Sequence, residues 1–264
     1  MNKTDLKVYI VTFLLYVGVS ISVWAQQFTV LLYTSPDRWH DQTIPVAMEQ
    51  FRKMALKHDF TLIWAQSNGS GAVTNVFTDD YLRKVDVVVF LHSRGYDLTD
   101  EQDAAFKKYI RNGGGFVGIH AASSNKEQEL WYQQLVGRVF TDHPEEQTAV
   151  VTVMDHTHPA TMHLQNYWVW TDEWYSFGPA LTDSLQLLLS VDESTYDPDR
   201  TWGDNNRFTA MGEFHPISWY QEFDGGRSFY TALGHLQESY NDPWFLAHIY
   251  GGIYWAATGL GIKQ

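Results

Sequence analysis

The run Val85-Asp-Val-Val-Val-Phe-Leu91, followed after one helical segment by Gly113-Gly-Gly-Phe-Val-Gly-Ile-His120, decides the fold. The first run is almost continuously apolar and rich in β-branched residues. That is the pattern of a strand buried on both faces of a parallel sheet. Between the two runs, residues 98–112 open on the cap candidates Thr99 and Asp100, show helical periodicity, and stop at three glycines. Strand, helix, strand in this order is a βαβ unit.

Working outward, Phe28-Thr-Val-Leu-Leu-Tyr33 reads as the first buried strand, and Ile44 to Lys57 as an amphipathic helix carrying Ile44, Ala47, Met48, Phe51, Met54 and Ala55 on one face. Residues 60–65 form a second strand, and 125–136 a further helix. Strand-like pieces follow at 148–154, 185–191, 208–212 and 227–233, joined by long aromatic-rich loops, and a helix over 242–257 closes the chain. The alternation predicts an α/β fold, a mainly parallel sheet with helices on both faces, as one domain over residues 26–264.

Residues 1–25 read as a signal peptide, with Lys3 and Lys7 before an apolar run from Val8 to Val19 and a cleavage point after Ala25. An uncleaved anchor is the alternative, but the run is short for a span and no basic cluster follows. The expected location is periplasmic or secreted, with no stable membrane span after cleavage. A net charge of −13 without a basic stripe argues against nucleic acid as a partner. The chain has no cysteine, which excludes thiol nucleophiles and cysteine metal ligands. Aromatic residues make up 16%, eleven of them Trp, enough to furnish both a core and a sugar-stacking groove. A homo-oligomer is compatible with this composition.

In an open parallel sheet, ligands bind beyond the carboxyl ends of the strands. His40, His92, His120 and His235 all fall at predicted strand ends, and Asp172, Glu173 and Tyr175 lie in Trp170-Thr-Asp-Glu-Trp-Tyr175. His120 precedes Ala121 and Ala122, small residues that permit a sharp strand-to-helix turn. Together these groups can serve as acid/base or metal-binding residues. Asp172 and Glu173 are neighbours in an extended segment and face opposite ways, so they are not a ready acid pair. His156-Thr-His158-Pro reads as a turn before Pro159 rather than a ligand pair.

Five stretches together resemble the trehalose-utilisation (ThuA-like) family: Gly113-Gly-Gly-Phe-Val-Gly-Ile-His120-Ala-Ala, Asp155-His-Thr-His-Pro-Ala-Thr161, Thr171-Asp-Glu-Trp-Tyr175, His215-Pro-Ile-Ser-Trp219 and Gly226-Arg-Ser-Phe-Tyr-Thr-Ala-Leu-Gly-His235. A closing Tyr250-Gly-Gly-Ile-Tyr-Trp-Ala256 is similar to the family's last helix. The resemblance implies a flavodoxin-like sheet shared with class I glutamine amidotransferases. Those enzymes present a thiol in Gly-x-Cys-x-Gly, whereas Gly118-Ile-His120-Ala-Ala122 has His in the Cys place. It also implies a link to sugar catabolism through 3-keto sugars.

On this reading the protein acts on a sugar or 3-keto-sugar by isomerisation, elimination or hydrolysis. His120, His235 and Glu173 would be catalytic or would hold a divalent metal such as zinc. Trp39, His40, Asp172, Tyr175 and Trp219 would meet the carbohydrate ligand. The alternative is a non-catalytic carbohydrate-binding or accessory protein, and a glycoside hydrolase using Glu173 and Glu213 is a third option. A chain without a thiol is expected to release no ammonia from glutamine. An ammonia assay at high protein concentration checks this, and turnover above the buffer background would contradict it.

Overall fold

In the computed structural model, residues 26–35, 37–67, 75–94, 98–124, 128–200 and 210–261 are described. The signal-peptide segment lies outside them, as do residues 125–127 of the expected third helix and residues 208 and 209 of an expected strand. Among the described residues, no helix is long and apolar enough to cross a membrane.

The first half alternates as its periodicities require. Strand β1 (Thr29–Thr34) leads to helix α1 (Thr43–His58) and β2 (Thr61–Gln66), then a short α2 (Asp79–Leu82), β3 (Val87–Leu91), α3 (Asp100–Arg111) and β4 (Gly115–Ile119). Helix α3 opens on a capping box in which Thr99 and Gln102 exchange side-chain-to-backbone bonds. Its first turn carries Asp100, Glu101 and Asp103 and its last turn Lys108 and Arg111, which matches the helix dipole at both ends. The second half contains α4 (Leu130–Val136), β5 (Phe140–Asp142), β6 (Gln147–Val153), β7 (Tyr167–Asp172), β8 (Ser176–Phe177), β9 (Gln186–Asp192), β10 (Pro216–Phe223), β11 (Gly226–Thr231) and α5 (Pro243–Thr258). Residues 210–212 are not strand.

Among the described residues, nine strands form one mixed sheet in the order β2-β1-β3-β4-β11-β10-β9-β6-β7, and β5 pairs with β8 separately. The first five run parallel, in the flavodoxin-like order, and the remaining four extend the sheet antiparallel. The antiparallel extension is the departure from a mainly parallel expectation. Its strands are six to eight residues long, and β7 alternates exposed and covered residues at the sheet's edge. The chain moves one way from β1 to β2 and the other way from β3 to β4. Right-handed crossovers therefore put α1 and α3 on opposite faces. Helix α5 packs against β3, β4 and β11 and touches α1.

Val87–Leu91 and Val30–Tyr33 are fully buried, and each such large aliphatic side chain contributes about 1.5–3 kcal/mol. On the outer face, His158 is walled by Tyr220 at 4.4 Å and Trp255 at 5.2 Å, and its Nδ1 accepts the Ala160 N–H. Burial lowers its pKa to about 4, against the pull of Asp155. A histidine with a depressed folded pKa stabilises fully above its unfolded value near 6.5. That stability is lost as pH falls from there toward 4, by about 1.4 kcal/mol per unit. His158→Phe is therefore expected to flatten the dependence of Tm on pH between 6.5 and 4. An unchanged slope would show that His158 is not a buried neutral group.

Candidate active site at the carboxyl edge of the sheet

Strands β1, β3, β4 and β11 are mutually parallel, so the residues that follow them emerge at one edge. The sheet order reverses between β1 and β3, and crevices form at such points. His40 follows β1, His92 follows β3, His120 follows β4 and His235 follows β11. Their rings converge at centroid distances of 4.7 Å for His40–His92, 5.2 Å for His40–His120, 5.4 Å for His92–His120 and 5.1 Å for His120–His235.

The local backbone explains how the rings turn inward. His92 and His120 sit at φ 51° and 53°, left-handed conformations that cost about 1–3 kcal/mol each and persist only where the surroundings impose them. At His120 the imposition is visible. A side chain at Gly118 would meet Tyr230 at 3.0 Å and the Ala122 Cβ at 3.2 Å, so the turn folds back closely over the strand and a larger residue there would have to push its neighbours aside. The Tyr230 hydroxyl donates to the His120 carbonyl at 2.8 Å and clamps it. Beyond β11, Gly234 takes φ 109° against Phe245 and Tyr240 and delivers His235.

The fifth group is Glu173. Its Oε2 stands 3.3 Å from His120 Nε2 and 3.3 Å from His235 Nδ1, while the two nitrogens are 3.2 Å apart. His143 Nε2 lies 3.7 Å from the same oxygen. His120 donates its Nδ1–H to the Ala232 carbonyl at 2.6 Å, and His235 Nε2 faces Glu146 at 3.4 Å. The Tyr175 hydroxyl reaches His120 Nε2 at 2.8 Å. Tyr175 is itself held from behind, because His215 Nε2 donates to its carbonyl at 2.8 Å while Nδ1 meets Glu193 at 3.0 Å.

The electrostatics favour charge on His120 and Glu173 and the neutral form of His235, His40 and His92. Burial works against the Glu173 carboxylate, but His120, His235 and His143 outweigh it and bring its pKa to about 2. Burial also opposes an imidazolium at His120, yet Glu173, Asp172 and the Ala232 carbonyl hold its pKa above the usual range. Burial and the neighbouring His120 bring His235 down to about 3, and burial lowers His40 and His92 as well. Burial, with Glu173 and Asp172 nearby, raises Glu146.

The structure brings His40, His120, Glu173, Tyr175 and His235 together, as the sequence analysis expected. Two expected residues, Asp172 and Trp219, are taken up by the protein itself. Asp172 is fully buried, and its carboxylate accepts N–H bonds from Trp170 Nε1, Glu173, Gly234 and His235 at 2.7–3.1 Å. No oxygen is left for a sugar, so Asp172 positions its neighbours instead of binding substrate. Trp219 is 1% exposed, stacked on Tyr230, with its indole N–H on the Val136 carbonyl, and is therefore core. Trp39 is exposed, under the Arg38 guanidinium. Glu213 is exposed on the loop before β10. Sequence reasoning missed His143 and Glu146, which lie on a loop with no strand-end signal. It also missed the Glu193–His215 support of Tyr175, although His215 stands in a quoted motif.

The fold is an α/β one of the doubly wound class, with a flavodoxin-like parallel core and a buried histidine–carboxylate cluster at the switch point. The chain belongs to the trehalose utilisation family, whose model matches residues 29–256. Its structure is similar to that of a ThuA-like protein from Bacteroides uniformis ATCC 8492, with 26% identity and a TM-score of 0.72 over 88% of this chain and 92% of that one. A ThuA-like protein from Parabacteroides merdae ATCC 43184 gives 19% identity and a TM-score of 0.72 over 90% and 92%. The fold is also shared with the carbohydrate deacetylase Agd3, at 11% identity and a TM-score of 0.54 over 90% of this chain and 33% of that one. No curated protein matches the chain.

Asp172→Asn replaces an acceptor facing four donors with a group that turns its own N–H₂ toward two of them. The loss is expected to be about 2–3 kcal/mol of stability, larger than a neutral hydrogen bond. Denaturant unfolding of the variant checks this, and a change below about 0.5 kcal/mol would show that Asp172 does not organise the edge.

Proposed function

We propose that the protein is a carbohydrate-processing enzyme, acting on a sugar or 3-keto-sugar at the carboxyl edge of the sheet, with a divalent cation held by His120, His235 and Glu173. One observation carries this reading. The three donor atoms stand 3.2–3.3 Å from one another, and ligand atoms about 2.0–2.1 Å from a tetrahedral zinc are about 3.3–3.4 Å apart. The tautomers agree. His120 gives its other N–H to a carbonyl and His235 faces a carboxylate, the outer partners that metal-ligating histidines ordinarily have. When bound, such a cation polarises a carbonyl or activates a water.

The chain's own groups supply the rest. Tyr175 offers a hydroxyl beside His120 for the oxygen on which charge develops, and the His215–Glu193 pair fixes its position. His143 and Glu146 stand at the rim, partly open to solvent, where they can take or return a proton. The family's description, trehalose utilisation, supports a sugar as substrate. We also read the His120 turn as an amidotransferase elbow in which an imidazole has taken the place of the thiol. The signal-like segment over residues 1–25 supports a periplasmic or secreted location.

Elemental analysis of the purified protein is expected to find about one equivalent or more of a divalent metal, with its affinity at least about 10-fold lower in Glu173→Gln and His235→Gln. Turnover of a keto-sugar panel should then fall on chelation and return on adding metal. A wild-type protein that neither binds a divalent cation nor converts any sugar in the panel would overturn the proposal in favour of a carbohydrate-binding role.

A further inference from the structure

His120, one of the three donors above, also belongs to a second set. His40, His92 and His120 each offer one ring nitrogen, and the three nitrogens lie within 4.8 Å of one another. Ring centroids stand 4.7 Å apart for His40–His92, 5.2 Å for His40–His120 and 5.4 Å for His92–His120. The three residues are buried, at 4%, 0% and 0% exposure. Unlike the set that His120 forms with Glu173 and His235, this one consists of imidazoles alone.

Each of the three rings is held from outside. Asp37 Oδ1 accepts the His40 Nδ1–H at 2.8 Å, and the backbone N–H groups of Trp39 and His40 fix that carboxylate. The Tyr240 hydroxyl meets His92 Nε2 at 3.1 Å, and the Ala232 carbonyl meets His120 Nδ1 at 2.6 Å. The remaining nitrogens of the first two rings, His40 Nε2 and His92 Nδ1, are both buried without a partner. Arg138 and His158 carry unpartnered nitrogens too. A guanidinium has no lone pair to give a cation, and His158 belongs to no such ligand set among the described residues. Only at His40 and His92 do two of these nitrogens fall in one set, each unmet group costing about 1–3 kcal/mol.

We propose that His40, His92 and His120 form a second, deeper cation position beside the first, and that the two positions exclude one another. His120 Nδ1 is committed to a carbonyl, so both sets depend on its Nε2, and one lone pair binds one ion. The exclusion rests on the metal reading of the previous subsection, whereas the deep position has two donors of its own. The open set already stands at 3.2–3.3 Å, the spacing of ligands around zinc, and contains a carboxylate to offset the ion's charge. The open position is therefore the tighter for zinc. Three neutral imidazoles suit zinc, copper or nickel rather than magnesium or calcium. Asp37, and Tyr240 as acceptor of the His92 Nε2–H, are the outer partners that orient metal-binding histidines.

The experiment is a titration of the chelator-stripped protein with zinc ions, with electron paramagnetic resonance of the copper(II) form to count bound nitrogens. Wild type is expected to take up about one equivalent at these two positions, because they share a nitrogen. The Glu173→Gln/His235→Gln double variant keeps the deep set whole. It is expected still to bind about one equivalent, at least about 10-fold more weakly, with three imidazole nitrogens on copper. Adding His92→Gln should weaken that binding by about 10-fold or more, and Tyr240→Phe or Asp37→Asn, which leave all three imidazoles in place, by about 10-fold. Where the double variant folds poorly, the same comparison is made in Glu173→Gln alone, which keeps every imidazole. If adding His40→Gln and His92→Gln to either background leaves zinc binding unchanged, the deep position is refuted and the open one stands. Two equivalents on the wild type, both lost in His120→Gln, would refute the exclusion. A wild-type protein that binds neither zinc nor copper refutes both positions.

Discussion

The buried carboxylate of Asp172 is the constraint on which the site depends. It closes the edge strand β7 and collects four N–H groups, two of them from the Gly234–His235 turn beyond β11. Those two strands lie four places apart in the sheet, separated by β10, β9 and β6. One carboxylate thus fastens the far antiparallel edge to the parallel core. It also fixes Glu173 and His235, each bonded to it through the backbone, on either side of His120. Burial raises the Asp172 pKa, and the same burial makes an unpaired oxygen there too costly to leave, which is why every lone pair in reach is used.

Around that anchor the cluster is built by fixing one end of each ring. Asp37 holds His40, Tyr240 holds His92, the Ala232 carbonyl holds His120, and Glu146 faces His235. With one nitrogen committed to a carboxylate or a carbonyl, His40 and His120 are held in a fixed orientation. Two of the four residues do this from left-handed backbone conformations. The strain is sustained by the fully buried strands β3 and β4 directly beneath, whose rigidity leaves the turns little freedom to relax. The result is a preorganised set of donors, which is the condition for strong electrostatic effects on a reacting group.

The imidazole of His120 at the strand-to-helix turn sets what the edge can do. A thiol there would form covalent adducts, whereas an imidazole tied to a carbonyl on one side can accept a proton or hold a cation on the other. The antiparallel extension, through β7 and the segment after it, contributes Glu173, Tyr175 and the anchor Asp172. The site is consequently shared between the two halves of the sheet. Chemistry at the edge depends on their remaining joined.

Local pattern determined the first half of the fold. Val85–Leu91 is too apolar for anything but a strand covered on both faces, the Thr99 box starts a helix, and the glycines at 113–115 end it, each through interactions within a few residues. The strand-end histidines were legible for the same reason, since a parallel sheet sends every strand's carboxyl end to one edge. Strand β7 and the loop residues His143 and Glu146 carried no such signal. The second half pairs antiparallel through partners up to dozens of residues apart, and a half-exposed strand reads like an aromatic loop. Residue type alone also misassigned Asp172 and Trp219, because a carboxylate and an indole can face a ligand or serve the core equally well. Only the packed structure, which decides what hydrogen-bond partners remain once water is excluded, settled which they do.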